Sequence, residues 1–419
     1  MWRLFVMIGR GYLYSRFFSG PSDPASAACN RSNTNNFCSL RTPTKPSNPQ
    51  RRLQPGIWIS TLCVIGVFMN VLVTGVGGGV GQSVIRSLRN AKLHTWIMGV
   101  DADPWGAGLY LCDEHSLVPF VSDENRYINT LKQIITKHKI EVLIPGTDTE
   151  LLTIALYRHQ FEELGCIPIV STAECISLCR DKTKTGDVLS PKGIPFVRTL
   201  GVVEFLKATS KIIDPVIVKP KGGSGSVGAR VIFRREEIEN INQPDSYIVQ
   251  DYLVPAAWKL STISPFDVLR GGRLRQDDEL SIQGMIGPDG STVGIYASVN
   301  RLRDGVPIVI QPTKSPDIIS FAAKVFKCFA EIGHIGPCNI QGRLTKNGPV
   351  LFEVNPRFTG ITAVRAEMGF NECEAAIRLF VLKEDTLTVA ESLDYDEKSV
   401  GVRYVTEHIV RLGDTDQDV

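Results

Sequence analysis

The chain has 419 residues, 43% of them hydrophobic and 21% charged, the balance of a globular chain with room for two or three packed domains. That excludes a wholly disordered chain, a collagen and a polytopic membrane protein. The formal net charge of +2 hides an asymmetry: residues 1–52 hold eight Lys/Arg against the lone acid Asp23, while the rest holds 38 basic and 43 acidic residues, so the body lacks the basic bias that grips nucleic-acid backbones.

The head, residues 1–68, is expected to be a disordered or targeting leader. Residues 1–52 are rich in Arg, Ser, Asn and Pro and show no lasting apolar period. Arg3, Arg10 and Arg16, set among Trp2, Leu4, Phe5, Tyr12, Leu13, Phe17 and Phe18, suit a mitochondrial presequence. The alternatives are an extension ahead of a start at Met69 and, third, an anchor. The apolar run Ile57–Val73 would supply that anchor, but Val71–Gly75 reads better as a strand entering a glycine turn, which leaves too little to span a bilayer. The expected compartment is the cytoplasm, or the mitochondrion if the leader is a presequence.

From Met69 strands and helices alternate, the pattern of a mainly parallel sheet over 69–175. Strand Asn70–Thr74 runs into Gly75-Val76-Gly77-Gly78-Gly79-Val80-Gly81, and a helix follows with Val84, Ile85 and Leu88 on one face. Strand Trp96–Val100 ends at Asp101. Further strands are expected at 116–119, 141–145 and 167–170, and helices at 124–138 and 148–164, the second capped by Thr147 or Asp148. The glycine turn with Asp101 supports two readings: a dinucleotide fingerprint, or a turn that packs a helix close on a strand.

Over 176–385 the chemistry-bearing residues gather. Strand Pro215–Pro220 carries Lys219 at its end, and Lys221-Gly222-Gly223-Ser224-Gly225-Ser226-Val227-Gly228 follows at once, before a strand at Ala229–Phe233. Such a loop offers backbone amides to a triphosphate at close range, or serves as a plain hairpin turn. No GxxxxGK[ST] occurs in the chain. Ser246–Leu253 is a strand broken by Gln250 and Asp251, and Asp278–Gln283 begins another with Glu279 near its head. Arg301 and Arg303 share one strand face, a pair that also suits a solvated edge.

The sharpest cluster comes last. Cys338–Arg343 and Pro349–Arg357 read as hairpin partners; period two puts Glu353 and Asn355 on one face, and antiparallel pairing can bring Gln341 beside them. One carboxylate and two amides make a hard-cation site of the kind Mg²⁺ prefers, and Arg357 can take a phosphate oxygen bidentately.

These motifs, in this order, resemble the ATP-grasp superfamily, most closely the ATP-binding halves of the carbamoyl-phosphate synthase large chain and stand-alone proteins related to it. The resemblance covers roughly 69–385. It implies an α/β and α+β architecture: a Rossmann-like pre-ATP-grasp domain without NAD at 69–175, then a two-lobed ATP-grasp domain at 176–385, with a C-terminal segment 386–419. Carried over, it implies that Lys182 and Lys219 reach the phosphates and that Gly222 to Gly228 (Gly222, Gly223, Ser224, Gly225 and Ser226 among them) close over the triphosphate. It implies that Gln250 and Tyr252 form the adenine hinge and Glu279 holds the ribose. Gln341, Glu353 and Asn355 would bind Mg²⁺ or Mn²⁺, and Arg357, Arg301 and Arg303 would surround the transferred phosphate. The chain departs from the family at Gln250, where Glu is usual, and in residues 255–276, an expected insertion that affects the register of Tyr252 and Glu279.

The activity implied is that of an ATP- and Mg²⁺-dependent ligase: a carboxylate takes the γ-phosphate to give an acyl phosphate, and an amine or other nucleophile captures it. The alternatives are a non-catalytic ATP-binding protein of the same fold and an NAD(P)-binding enzyme using the first glycine turn. The expected partners are ATP, a small carboxylate and a nucleophile, with no nucleic acid and no membrane; a homo-oligomer is left open. The ten cysteines show no CxxC, and the six histidines no cluster; the cysteines are expected as buried free thiols, the histidines as surface or packing residues.

Overall fold

The computed structural model describes residues 68–211, 214–222, 228–256, 269–270, 273–274 and 276–409. The expected leader and Gly223–Ser226 of the glycine-serine loop lie outside them.

The first sheet is parallel, in the order β3-β2-β1-β4-β5, from β1 (Phe68–Thr74), β2 (His94–Asp101), β3 (Glu114–Leu117), β4 (Val142–Ile144) and β5 (Ile167–Pro168). Central strand β1 is sealed by helices on both sides, so Val71, Leu72, Val73 and Thr74 are all fully buried. Helix α1 (Gly79–Asn90) starts directly from the glycine turn. Gly81 permits that approach, because a Cβ there would stand 2.5 Å from the Gly75 carbonyl oxygen.

Helix α2 (Glu124–His138) has the expected bounds and is capped by Asp123, whose side chain accepts from the Arg126 amide. The single helix expected over 148–164 is instead two, α3 (Leu151–Leu156) and α4 (Arg158–Glu163), broken at Tyr157. Neither Thr147 nor Asp148 caps it. Glu150 turns back to accept from the amides of Gly146 and Thr147, at 3.0 and 2.8 Å, which leaves Asp148 for another partner.

Helices α5 (Ala173–Arg180) and α6 (Lys182–Leu189) lead out of this domain, α6 capped by Asp181 through the amides of Thr183 and Lys184. A small antiparallel sheet follows in the order β6-β9-β7-β8: β6 (Thr199–Gly201), β7 (Val216–Pro220), β8 (Arg230–Ile232) and β9 (Tyr247–Asp251). Its own core is Val202, Phe205, Val216, Val218, Ile232, Ile238, Ile241 and Val249.

The expected insertion 255–276 joins its surroundings at both ends. The Ala256 amide donates to Leu344 O, and a short hairpin of β10 (Leu269–Arg270) and β11 (Arg273–Leu274) leads into β12 (Gln276–Ile286). Strand β12 lies within a large antiparallel sheet, β16-β15-β12-β13-β14-β17, with β13 (Thr292–Arg303), β14 (Val306–Thr313), β15 (Gly336–Thr345), β16 (Gly348–Asn355) and β17 (Gly401–Val402). Because β17 pairs with β14, Gly401–Val402 of the expected C-terminal segment join this sheet.

The large sheet and the parallel domain are bound tightly. One continuous core joins Val84, Ile85 and Leu88 of α1 to Ala376, Ile377 and Phe380 of the helix Glu372–Phe380. The Ala363 amide donates to Ser83 Oγ at 2.8 Å, and Ser87 Oγ donates to Asn371 at 2.9 Å. No helix among the described residues is long and apolar enough to cross a membrane.

Candidate active site

A cavity of about 350 Å³ opens between the two antiparallel sheets and reaches the glycine turn of the parallel domain. Its lining includes Lys219, Gln250, Glu279, Gln341, Glu353, Asn355 and Arg357, so seven residues from five separate stretches of sequence meet in one space. Strand pairing explains the convergence. Gln341 lies directly opposite Glu353 and Asn339 opposite Asn355, with a bulge after Gln341. Glu353 and Asn355, two apart on β16, keep to one face.

Glu353 is the charge centre. Its Oε1 lies 3.7 Å from Lys182 Nζ and its Oε2 4.0 Å from Lys219 Nζ, with all three side chains at most 16% exposed. Burial pulls the Lys219 ammonium down to about 8, against the opposing pull of Glu353; the second lysine lowers it further. Lys219 Nζ also sits 5.4 Å from the centroid of the Phe352 ring. Lys182 and Gly222 line a small recess that shares Glu353 and Asn355 with the cavity and also includes Asp148. A carboxylate between two ammoniums, flanked by two amides, offers oxygen donors for a hard cation and positive charge for phosphates.

Glu279 forms the other buried carboxylate. It pairs with Arg343 on one side and with Asn300 on the other, giving a row across β15, β12 and β13. Asp278, in the left-handed region at φ 57°, makes the bulge that sets this register. Burial pushes the Glu279 carboxyl up to about 7, opposed chiefly by Arg343. The Asn300 side-chain amide is 1% exposed and meets no partner among the described residues.

The hinge residues divide. Gln250 lines the cavity and donates to Thr199 Oγ1 at 2.9 Å and to Phe352 O at 3.3 Å. Tyr252 is buried away from the lining, its ring 5.2 Å from the Arg343 guanidinium. Arg301 and Arg303 do share a face, but it is the exposed one; Leu302 between them faces the cavity.

Arg357 is engaged already. Its Nε and Nη2 bond Asp148 Oδ1 and Oδ2 at 2.5 and 2.7 Å, and Nη1 bonds Phe358 O. Burial works against its charge, but the Asp148 carboxylate more than compensates and holds the guanidinium above its ordinary value.

The first glycine turn is occupied by protein. Asp101 Oδ2 accepts from the Gly77 amide at 2.6 Å and its Oδ1 from Asp103 N at 2.9 Å. The segment through Gly106 and Gly108 packs on the same turn, so closely that a Cβ at Gly108 would stand 1.8 Å from Val76 O.

Residues 71–169 match the family model described as PylC-like, N-terminal domain, and residues 276–407 match the model described as ATP-grasp in the biosynthetic pathway with Ter operon. The chain is an ATP-grasp superfamily protein.

Solved structures share the ATP-grasp fold. The biotin carboxylase domain of Hydrogenobacter thermophilus 2-oxoglutarate carboxylase, in complex with MgADP, ADP and bicarbonate, matches 79% of this chain and 73% of its own at 18% identity and a TM-score of 0.57. N5-carboxyaminoimidazole synthetase from Staphylococcus aureus, complexed with ADP, matches 75% of this chain and 78% of its own at 16% identity and a TM-score of 0.56. L-amino acid ligase from Bacillus licheniformis matches 75% and 74% at 15% identity and a TM-score of 0.54. The uncharacterized protein y4rH of Sinorhizobium fredii (strain NBRC 101917 / NGR234) is 24% identical over 296 residues, 67% of this chain and 56% of that protein, so the chain spans little more than half the length of this curated relative.

Within the ATP-grasp domain, three lining or supporting residues went unassigned in the sequence: Arg343, Asn300 and Arg403. Arg343 had a readable signal, standing two residues after Gln341 on the same strand. The other two had none.

Proposed function

We propose that this ATP-grasp protein is an ATP- and Mg²⁺-dependent ligase (Mn²⁺ serving equally) that activates a small carboxylate as an acyl phosphate for capture by an amine or another nucleophile. The observation that carries the reading is Glu353 held between Lys182 and Lys219, beside Gln341 and Asn355, on the wall of a cavity sized for a nucleotide.

Gln341, Glu353 and Asn355 would hold the metal; their oxygens are of the right class and share one wall. The bound cation would neutralise charge on the phosphates. Lys182 and Lys219 would hold phosphate oxygens, and Gly222 with Gly223–Ser226 would cover them. Glu279 would accept from the ribose hydroxyls, and Gln250, a lining residue whose side-chain nitrogen is already bonded to Thr199 and Phe352, would meet adenine through its carbonyl oxygen. Tyr252 supports Arg343 rather than the base. Arg357 would serve the transferred phosphate by exchanging Asp148 for it; Arg301 and Arg303 have no part while exposed. Little covalent chemistry is asked of the protein, since positioning and charge neutralisation lower the barrier.

A dinucleotide reading of the first turn has less support. Asp101, which would have to bond a ribose, is spent on two backbone amides, and residues 103–108 pack where a pyrophosphate would approach.

The test is ADP release by the full chain with MgATP, screened across small carboxylates paired with amines. The ligase reading expects slow release with MgATP alone and a large rise when the right acid and nucleophile are both present. Fast release that no added acid changes would mark an ATPase; no MgADP binding at all would overturn the nucleotide assignment.

A further inference from the structure

The cavity lining also includes Gly79, Val80, Thr359, Gly360 and Arg403, to which the nucleotide reading gives no role. In the nucleotide half every charged lining group has an opposite neighbour. Lys219 has Glu353, Glu279 has Arg343, Asp251 has Arg198, and Arg357 has Asp148. Arg403 differs. Among the described residues it forms no ion pair; its side chain donates to Pro307 O at 3.2 Å, and the other charge acting on it is a second guanidinium, Arg86. A half-buried arginine facing only another arginine is a cost that a bound anion would relieve.

The position is built. The Arg403 amide donates to Ile308 O at 3.1 Å, extending β17 along β14. The chain then crosses to the parallel domain, where the His408 ring stacks on Tyr110 at 5.7 Å between centroids. Residues 401–408 thus form a strap fixed at both ends, with Arg403 turned into the cavity between. An ideal Cβ at Gly360 would lie 3.9 Å from Arg403 Nη1 and 3.8 Å from the Gly79 carbonyl, so the two domains and the strap meet at one corner, left open by the missing side chain.

We infer that Arg403 is a specificity-determining residue: the substrate activated here carries a second anionic group, a carboxylate or a phosphate, remote from the reacting carboxylate and bound by Arg403. The inference rests on the ligase reading of the cavity. An arginine supplies a planar, bidentate donor pair to either anion, and a substrate held at both ends is aligned for transfer.

The experiment uses the full chain saturated with MgADP, so that the nucleotide half is filled. Thermal unfolding is followed with succinate, with inorganic phosphate, and with chloride at matched ionic strength, in wild type, Arg403→Gln and Arg403→Lys. Wild type is expected to gain several degrees from one anion beyond the chloride control. Arg403→Gln should lose at least three-quarters of that gain, Arg403→Lys should keep part of it, and both should retain the wild-type midpoint in MgADP alone. A gain from succinate assigns a carboxylate, and a gain from phosphate a phosphate monoester. A wild type that binds MgADP but gains from neither anion, or an Arg403→Gln protein that gains as wild type does, overturns the inference and leaves the ligase reading standing. Failure of MgADP to bind removes both.

Discussion

The carboxylate of Asp148 grips the guanidinium of Arg357 at two points, 2.5 and 2.7 Å, across 209 positions of sequence. It ties the end of β16 to the loop after β4, and so fixes the parallel domain against the wall that bears Glu353. Asp148 is available because Glu150, not Asp148, satisfies the amides at the start of the turn.

Asp148→Asn keeps the size of the side chain but removes the charge. With Arg357 11% and Asp148 25% exposed, the loss is expected to be about 1–3 kcal/mol, below that of a fully buried pair. Urea unfolding would measure it. Arg357→Lys should cost about as much, since an ammonium cannot make the two-point grip. A midpoint unchanged in both variants would show that the pair does not hold the domains.

Nucleotide affinity should peak between pH 7 and 8. The free protein's Lys219 titrates at about 8, so above that pH nucleotide binding must take up a proton and affinity falls. Glu279 titrates at about 7, so below that pH its carboxyl must lose a proton to accept from a ribose, and affinity falls again. Calorimetric titration with MgADP across pH 6 to 9 (about one unit beyond each limb) checks this. Lys219→Arg should flatten the alkaline limb and Glu279→Gln the acid one. A flat wild-type profile would contradict both placements.

Behind the cavity wall, Arg365 and Glu372 are both fully buried, with Arg365 Nε bonded to Glu372 Oε1 at 2.9 Å. The Arg365 guanidinium also reaches Gln283, Thr359 and Thr362, the first of which donates to Arg357 O. Glu372→Gln leaves a buried guanidinium uncompensated and should cost about 3–5 kcal/mol by urea unfolding. Replacing both by Met and Leu should cost far less, because both charges then go. Equal losses in the single and double variants would contradict this.

The sequence made the metal-type wall legible because strand period and antiparallel pairing are local rules, and Gln341, Glu353 and Asn355 obey them. The same rule put Arg301 and Arg303 on a shared face but could not say which face, since alternation fixes parity and not direction. The large sheet sets the direction: buried Asn300 and cavity-facing Leu302 leave the two arginines outside. Histidines and cysteines were legible as packing groups. His334, fully buried between Ser171 and Pro337 O and pulled down to about 4 by burial, is neutral at physiological pH, and the described cysteines are free and, except for half-buried Cys112, buried. Asp148 with Arg357, Arg365 with Gln283 and the Arg403 strap depend on long-range packing, for which one chain's local pattern carries no signal. Tyr252 was assigned to the hinge by its motif, and alternation would put it on the face of Gln250, but β9 ends at Asp251 and the ring packs by the Arg343 guanidinium instead.

The most direct measurement is ADP release by Glu353→Gln with Mg²⁺ titrated, beside wild type, under the acid and nucleophile that give the fastest wild-type turnover. Glu353 is the one carboxylate of the proposed metal set and the counter-charge of both lysines. The account predicts a fall of roughly two to four orders of magnitude in turnover, a higher Mg²⁺ requirement and a smaller loss of ADP affinity, since Lys182 and Lys219 remain. Turnover within a few-fold of wild type at the same Mg²⁺ concentration would contradict the account, because the charge centre of the cavity would then have no part in the reaction.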